Sequence, residues 1–243
     1  MRLDRLLANS GYGSRTEVKN LIRCGKVTLD GAIIKDAGFD VRDEDRTRIR
    51  VGGEPAAIRR FHYLMMDKPE GLITAMDDPR HRTIVECIPQ KYRHVDLFPV
   101  GRLDRDTTGL LLLTNEGILG HRLASPRFGI HKVYDVLVTG NPFQDDRDPA
   151  VFASGLVLAD GLVCRPADIR ILASDRALLS IHEGKYHQVK RMMAATGRTV
   201  VALRRLSLGP VELDATLGAG GVRELTEDEV DALYAVVELP RPQ

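Results

Sequence analysis

The chain has 243 residues, of which 43% are hydrophobic, and its formal net charge is +1 at pH 7. It has no run of about 18 apolar residues, the length that a membrane span needs, and its first residues are too charged for a signal peptide. We therefore expect a cytosolic protein that does not enter a membrane. Three widely spaced cysteines and seven scattered histidines predict neither a disulfide framework nor a metal site.

The charge is unevenly distributed along the chain. Residues 1–60 contain 13 Lys and Arg against 9 Asp and Glu, a net +4, whereas residues 61–243 contain 22 against 25, a net −3. A polyanion is attracted first to the positive part of such a chain. We therefore expect the N-terminal segment to make the first contact with a nucleic acid.

The N-terminal segment predicts two helices followed by a hairpin. Leucines at helical spacing near the start indicate the first helix. Ser14, with Glu17 three residues later, is a capping box that begins a second helix, and Gly25 is placed to end it. Two β-type runs at 27–29 and 32–34 then flank an Asp-Gly pair, which is typical of a hairpin turn.

Basic residues cluster around the two predicted helices, and three of them share one helix face. The residues expected to hold RNA are Arg2, Arg5, Arg15, Lys19, Arg23 and Lys26. A solvated helix face would show a similar run of charge. However, the segments 2–7 (RLDRLL) and 25–31 (GKVTLDG) resemble the alpha-L RNA-binding module first known from a small-subunit ribosomal protein. That resemblance implies structured RNA as the partner.

A change in composition divides the chain after the hairpin. The segment Gly52–Arg60, rich in Gly, Ala and Arg with one Pro, predicts a linker. We therefore expect an RNA-binding domain at 1–58 and a second domain at 61–243. Short β-type runs in the second domain predict an α+β sheet fold with a helix at 187–195. These runs lie at 63–66, 109–114, 133–138, 178–181 and 199–203.

The most unusual segment is a polar loop, Gly101–Gly109, that leads directly into the apolar run Leu110–Leu113. Taken alone, Asp104 between two arginines would be more typical of a structural ion pair. Four segments in order, however, resemble the signatures of the pseudouridine synthase family. They are 68–71 (KPEG), 101–117 (GRLDRDTTGLLLLTNEG), 132–134 (KVY) and 183–192 (EGKYHQVKRM), with 205–213 (RLSLGPVEL) completing the set.

This resemblance implies roles for individual residues and a mixed, mainly antiparallel catalytic sheet. Asp104 would be the essential carboxylate, Lys190 its cationic partner, and Tyr134 the ring that lies against the extruded uracil. Tyr134 is equally consistent with a tyrosine packed in a core, and the residues around Lys190 with an ordinary amphipathic helix start. The residues expected to contact the substrate are Arg102, Thr107, Thr108, Lys132, His187, Gln188 and Arg191.

The implied reaction breaks the bond between uracil and ribose, turns the base, and rejoins it through carbon 5. Because nothing is oxidised or lost, we expect no metal or other cofactor. Within the family the chain is most similar to enzymes of small-subunit (16S) ribosomal RNA, so we expect a monomer that modifies 16S rRNA, naked or in a partly assembled subunit. Two alternatives stay open: a synthase of 23S rRNA, and an inactive assembly factor that only binds rRNA.

Overall fold

The computed structural model describes residues 1–242, which form two compact units. The first comprises residues 1–62 together with Ile88–Leu97, and the second comprises residues 63–87 and those from Phe98 onward. Each unit has its own β-sheet accompanied by helices, so the predicted α+β class is confirmed. No helix within residues 1–242 is both long and apolar enough to cross a membrane.

The first unit has the predicted arrangement of two helices and a hairpin. Its elements are α1 (Leu3–Asn9), α2 (Arg15–Arg23), β1 (Val27–Leu29), β2 (Ala32–Ile33), β3 (Ile49–Val51) and β4 (Glu54–Pro55). The strands pair antiparallel in the order β2-β1-β3-β4. The capping box is present, because the Ser14 amide donates to Glu17 Oε2 at 2.7 Å and the Glu17 amide donates to Ser14 Oγ at 3.3 Å.

The segment Gly52–Arg60 belongs to the first unit, so the expectation that it is a linker between domains was wrong. Gly52 and Gly53 form the turn between β3 and β4. Farther along, the Ala57 amide donates a hydrogen bond to the Tyr12 hydroxyl at 2.8 Å, so this part of the chain packs against the first unit. The error arose because a two-residue strand has no periodicity, and a Gly-rich turn has the composition of a linker.

A later stretch, Ile88–Leu97, groups with the first unit although it lies beyond residue 61. Asp96 lies between two arginines of the N-terminal helices, 3.1 Å from Arg5 Nε and 2.5 Å from Arg15 Nη2. The domain limits expected at 58 and 61 stay a prediction. The first compact unit nevertheless extends beyond residue 58 by residues 59–62 and by this ten-residue insertion.

The second unit is built on a nine-stranded sheet. Its strands are β5 (Tyr63–Lys68), β6 (Phe98–Pro99), β7 (Thr108–Thr114), β8 (Lys132–Gly140), β9 (Asp168–Ala173), β10 (Arg176–Ile181), β11 (Arg198–Leu208), β12 (Val211–Glu212) and β13 (Val222–Glu224). Its helices are α3 (Gly117–Ala124), α4 (Asp148–Ala153), α5 (Gln188–Ala195) and α6 (Glu227–Val236). The main order is β13-β5-β7-β11-β8-β10-β9, with β6 beside β7 and β12 beside β11.

One strand pair of this sheet, β7 with β11, is parallel, and all the others are antiparallel. It is short, with Thr108 opposite Arg204 and Gly109 opposite Arg205. Gly109 has φ +99°, and a Cβ at this position would lie 2.2 Å from the carbonyl oxygen of Arg205. Only glycine therefore permits the two backbones to approach this closely.

Gly109→Ala should be strongly destabilising. The control is Gly161→Ala, because Gly161 has a similar φ of +82° but open space where the Cβ would go. The control should lose about 1–2 kcal/mol of unfolding free energy from backbone strain. Gly109→Ala should lose more than about 4 kcal/mol, because a steric clash adds to the strain. Denaturant unfolding measures the unfolding free energy of both variants. Equal losses would show that the close approach of the two backbones at Gly109 adds nothing to the cost of the substitution.

Candidate active site

A cavity of about 550 Å³ opens over one face of the central sheet of the second unit. Lys132 and Tyr134 are two residues apart on β8, and Arg205 on β11 is directly opposite Tyr134. Alternate residues of a strand face the same side, as do directly paired residues on neighbouring strands. The register therefore brings a ring and two cations onto one surface, the floor of the cavity.

The loop that carries Asp104 forms one wall of the cavity and is anchored by a buried lysine. Lys68, at the end of β5, donates from Nζ to the carbonyl oxygens of Pro69 at 3.0 Å, Arg105 at 3.3 Å and Thr107 at 2.9 Å. Burial lowers the pKa of Lys68 to about 8. The ammonium thus fixes the backbone on the C-terminal side of Asp104.

The opposite wall is the turn before α5, and hydrogen bonds within the turn stabilise it. The buried Glu183 accepts a hydrogen bond from Gln188 Nε2 at 2.7 Å, and Gln188 Oε1 accepts one from the Lys185 amide at 2.9 Å. His187 ends the turn in the left-handed conformation, with φ 47° and ψ 35°. This unusual backbone geometry brings the imidazole next to the loop of Asp104.

Four ionisable side chains meet where the two walls face each other. Lys190 Nζ lies 3.3 Å from Asp104 Oδ2 and 2.5 Å from Asp106 Oδ1, and His187 Nε2 lies 3.5 Å from Asp104 Oδ1. Burial alone would lower the pKa of Lys190, but the two carboxylates together raise it above the ordinary lysine value. Lys190 therefore carries a full positive charge at neutral pH.

Most of the residues expected at the site lie around this cavity and a smaller one of about 80 Å³ that shares its walls. The larger is lined by Arg102, Asp104, Lys132, Tyr134 and His187, and the smaller adds Thr107, Gln188 and Lys190. The structure thus brings together all three expected catalytic residues, Asp104, Tyr134 and Lys190. Their roles in the reaction stay predictions.

Other expected contacts are already engaged within the protein. The Thr108 hydroxyl donates to the Leu203 carbonyl at 3.4 Å, and both amide atoms of Gln188 brace the turn. Arg191 forms an ion pair with Asp160 and is not among the residues lining the two cavities. For these residues, contact with a substrate would have to be made in addition to, or in place of, an internal interaction.

Sequence reasoning missed several charged residues of the site, among them Asp106 and Arg205. Asp106 is only two positions from Asp104, yet nothing in the sequence shows that the two carboxylates share Lys190. Arg205 Nε donates to the Leu110 carbonyl at 2.7 Å, whereas its buried Nη2 has no hydrogen-bond partner within residues 1–242. Burial, together with the charge of Arg205, lowers the pKa of Lys132 to about 8.

Family models match two parts of the chain. A model described as RNA pseudouridylate synthase matches residues 62–195, and a model described as the S4 domain matches residues 1–46. The first match covers the cavity loop, Tyr134 and Lys190. The second covers both N-terminal helices and the first hairpin.

Similar proteins match over nearly the whole chain. An uncharacterized RNA pseudouridine synthase of Bacillus subtilis is 45% identical over 237 residues, covering 96% of this chain and 98% of its own. Ribosomal small subunit pseudouridine synthase A of Salmonella typhimurium is 39% identical over 232 residues, covering 95% and 98%. A crystal structure of a pseudouridylate synthase superposes with a TM-score of 0.67 at 36% identity, covering 96% of this chain and 99% of that chain.

Lys190→Met should alter the titration of Asp106. The hydrogen bond from Lys190 is the main reason that the pKa of Asp106 lies below its ordinary value, so its loss should raise that pKa. A depressed carboxyl pKa stabilises the fold above the pKa of the unfolded chain, and this stability is lost as pH falls through the folded-state pKa. In the variant the two pKa values lie closer together, so Asp106 should stabilise the fold less at neutral pH and less stability should be lost on acidification.

Carboxyl carbon NMR over a pH series measures the effect of Lys190→Met. The matched control is Arg191→Met, the neighbouring residue, whose partner is Asp160. The control should leave Asp106 unchanged and raise the pKa of Asp160 only in part, because the Leu162 amide is the larger cause of that depressed pKa. An unchanged Asp106 titration in Lys190→Met would show that the pair does not persist in solution.

Proposed function

The chain belongs to the RNA pseudouridylate synthase family, and on that premise we propose that it converts one uridine of 16S ribosomal RNA to pseudouridine, with Asp104 as the essential carboxylate. The observation that carries the proposal is the convergence of Asp104, Lys190 and Tyr134 on one cavity. A carboxylate held by a fixed cation and facing an aromatic ring suits chemistry on a nucleoside.

The first task of the site is to hold an ionised carboxylate near the ribose. The Lys190 ammonium, 3.3 Å from Asp104, offsets the cost of keeping that charge away from bulk water. Asp106 shares the same ammonium and keeps it charged. Lys68 holds the loop backbone from the other side, so the carboxylate is positioned before the substrate arrives.

The second task is to bind a uracil that has left the RNA stack. Tyr134 is only 8% exposed and lies on the cavity floor, where a flat base can rest on its ring. Extrusion of a base costs a few kcal/mol, and stacking on an aromatic side chain returns about 1–3 kcal/mol. Tyr134 can therefore offset much of the cost of extrusion.

The charge of the cavity suits an RNA substrate. Its lining includes one carboxylate, Asp104, and five basic side chains: Arg102, Arg105, Lys132, Lys185 and Arg205. Such an excess of cations attracts phosphates and slows the escape of a polyanion. Arg102 is exposed and forms no ion pair within residues 1–242, which suits it to hold a phosphate.

Small-subunit rRNA is the proposed substrate because of the relatives. The Salmonella typhimurium and Escherichia coli proteins named ribosomal small subunit pseudouridine synthase A are 39% and 38% identical to this chain, which spans 98% of each. The S4 domain match adds a second RNA-binding region. A 23S target and an inactive rRNA-binding factor are the competing outcomes of the test.

The substrate test uses purified protein with transcribed 16S and 23S rRNA and with partly assembled small subunits. Pseudouridine is mapped chemically along each RNA after incubation. We expect one modified uridine in 16S rRNA, either naked or in the particle. Modification of 23S rRNA alone would move the target to the large subunit, and absence of product on every substrate would refute the proposed activity.

Asp104→Asn should abolish pseudouridine formation while leaving the fold intact. The amide keeps the size of the side chain but removes the charge and the reactive oxygen. The fold should lose little stability, because Lys190 keeps Asp106 as its partner and a partly exposed ion pair contributes little. Product yield at excess enzyme is compared with thermal melting and RNA binding of the same preparation. Activity within about tenfold of wild type, equivalent to only about 1.4 kcal/mol of barrier, would make Asp104 a structural residue.

The cations of the first unit differ in their availability to RNA. Arg2 pairs with Asp4 at 3.0 Å, and Arg5 and Arg15 share Asp96. Three others are exposed and form no ion pair within residues 1–242: Lys19, Arg23 and Lys26. A phosphate can bind these three without first displacing a carboxylate.

Changing Lys19, Arg23 and Lys26 together to Gln should weaken RNA binding and reduce the slope of log affinity against log salt by about two to three. The matched variant changes Arg5 and Arg15 to Gln. It should affect the salt slope less, because these arginines are already partly neutralised by Asp96. Filter binding across a salt series measures both, and equal slopes would mean that the ion pairs open when RNA binds.

A further inference from the structure

Tyr186 is an aromatic side chain that packing does not explain. It is 77% exposed, the largest exposure among the large hydrophobic side chains of residues 1–242. It lies on the lining of the 550 Å³ cavity, in the same turn as His187. A ring left in water beside a cationic cavity is available to a planar ligand.

The Tyr186 ring is held in position by the neighbouring His187 side chain. It stacks on the His187 imidazole, with 3.9 Å between ring centroids and 16° between planes. His187 is itself held by its left-handed backbone and by its approach to Asp104 at 3.5 Å. Arg191 Nη1 also donates to the Tyr186 carbonyl at 3.4 Å. One face of the ring is therefore covered, and the exposure leaves the opposite face open.

The two tyrosines of the cavity suit two different bases. Tyr134 is 8% exposed on the floor, whereas Tyr186 is 77% exposed at the rim. A base seated on Tyr134 is enclosed, and its departure from the RNA leaves the adjacent base without a stacking partner. A ring at the rim can replace that partner, and sequence-tolerant stacking of this kind is common in single-stranded nucleic-acid binding.

We propose that Tyr186, supported by His187, is a stacking platform for the nucleobase next to the target uridine. The inference rests on the proposed function and adds a second base-binding subsite to it. The open face of the ring holds the neighbouring base, and the cations around it hold the phosphates. Tyr186 thereby contributes to the selection of an unpaired strand around the target.

The first test compares Tyr186→Ala and Tyr186→Phe on the RNA that the wild type converts. Stacking on one aromatic is worth a factor of about 5 to 150 in affinity. Tyr186→Ala should lose this factor in kcat/KM, mainly through KM, and Tyr186→Phe should stay within about twofold of wild type. The control is Ile118→Ala, an exposed residue (63%) outside the cavity, which should change neither value.

The second test removes the base instead of the ring. Abasic nucleotides are placed in turn on the 5′ and 3′ sides of the target uridine. With the abasic nucleotide at the position that Tyr186 contacts, Tyr186→Ala should cause no further loss of kcat/KM, because the missing base and the missing ring remove the same interaction. Independent losses on both sides would overturn the proposal. Equal losses in Tyr186→Phe and Tyr186→Ala would also overturn it, since the hydroxyl would then be the contact.

The third test is independent of turnover. The chain has no tryptophan, so Tyr186→Trp introduces a single indole reporter at the rim, and Ile118→Trp provides the matched control. A short uridine-containing single strand should quench the fluorescence of the first variant but not that of the second. Quenching without conversion of any rRNA would refute the proposed function and retain the platform. If the protein converts rRNA, but the strand causes no quenching and Tyr186→Ala has no effect, the proposed function stands and the stacking platform is refuted.

Discussion

The parallel contact between β7 and β11 is the constraint on which the site depends. It joins β7, which follows the Asp104 loop, to β11, which pairs with β8 and so aligns Arg205 with Tyr134. Its two residue pairs are possible because Gly109 lets the backbones meet. A loop, a ring and a buried guanidinium that are distant in sequence therefore converge on one cavity, and the short helix α5 before β11 brings Lys190 to the same place.

Electrostatic balance is the second requirement of the site. A carboxylate that is partly removed from water needs a permanent counter-charge, and the lysines near the Asp104 loop differ in their capacity to provide one. Burial lowers the pKa of Lys68 and Lys132 to about 8, whereas the carboxylates of Asp106 and Asp104 raise that of Lys190. Of these three lysines, Lys190, which faces Asp104, is the one that stays protonated over the widest pH range, and the carboxylate of Asp106 is part of the reason.

In the proposed function, the two units offer complementary kinds of contact to an RNA. In the first unit, Lys19, Arg23 and Lys26 provide exposed charges that can grip phosphates without reading bases. In the second unit, an enclosed tyrosine and an exposed tyrosine offer flat surfaces to bases. Charge supplies affinity over a wide area, while stacking requires bases to be unpaired. A selective RNA-modifying enzyme needs both, because affinity alone does not distinguish one uridine from another.

The sequence by itself determined much of this protein. The capping box at Ser14, the hairpin, the strands and the helix near Lys190 depend on local spacing, and the signature segments identified the family. The role of Asp104, drawn from the same segments, stays a prediction. It misread Gly52–Arg60, because a short strand and a linker have the same composition. Only the tertiary structure joined Asp106 to Lys190, aligned Arg205 with Tyr134, neutralised Arg5 and Arg15 with Asp96, and left Tyr186 exposed. These features depend on strand register and on contacts between distant segments, which local sequence patterns do not encode.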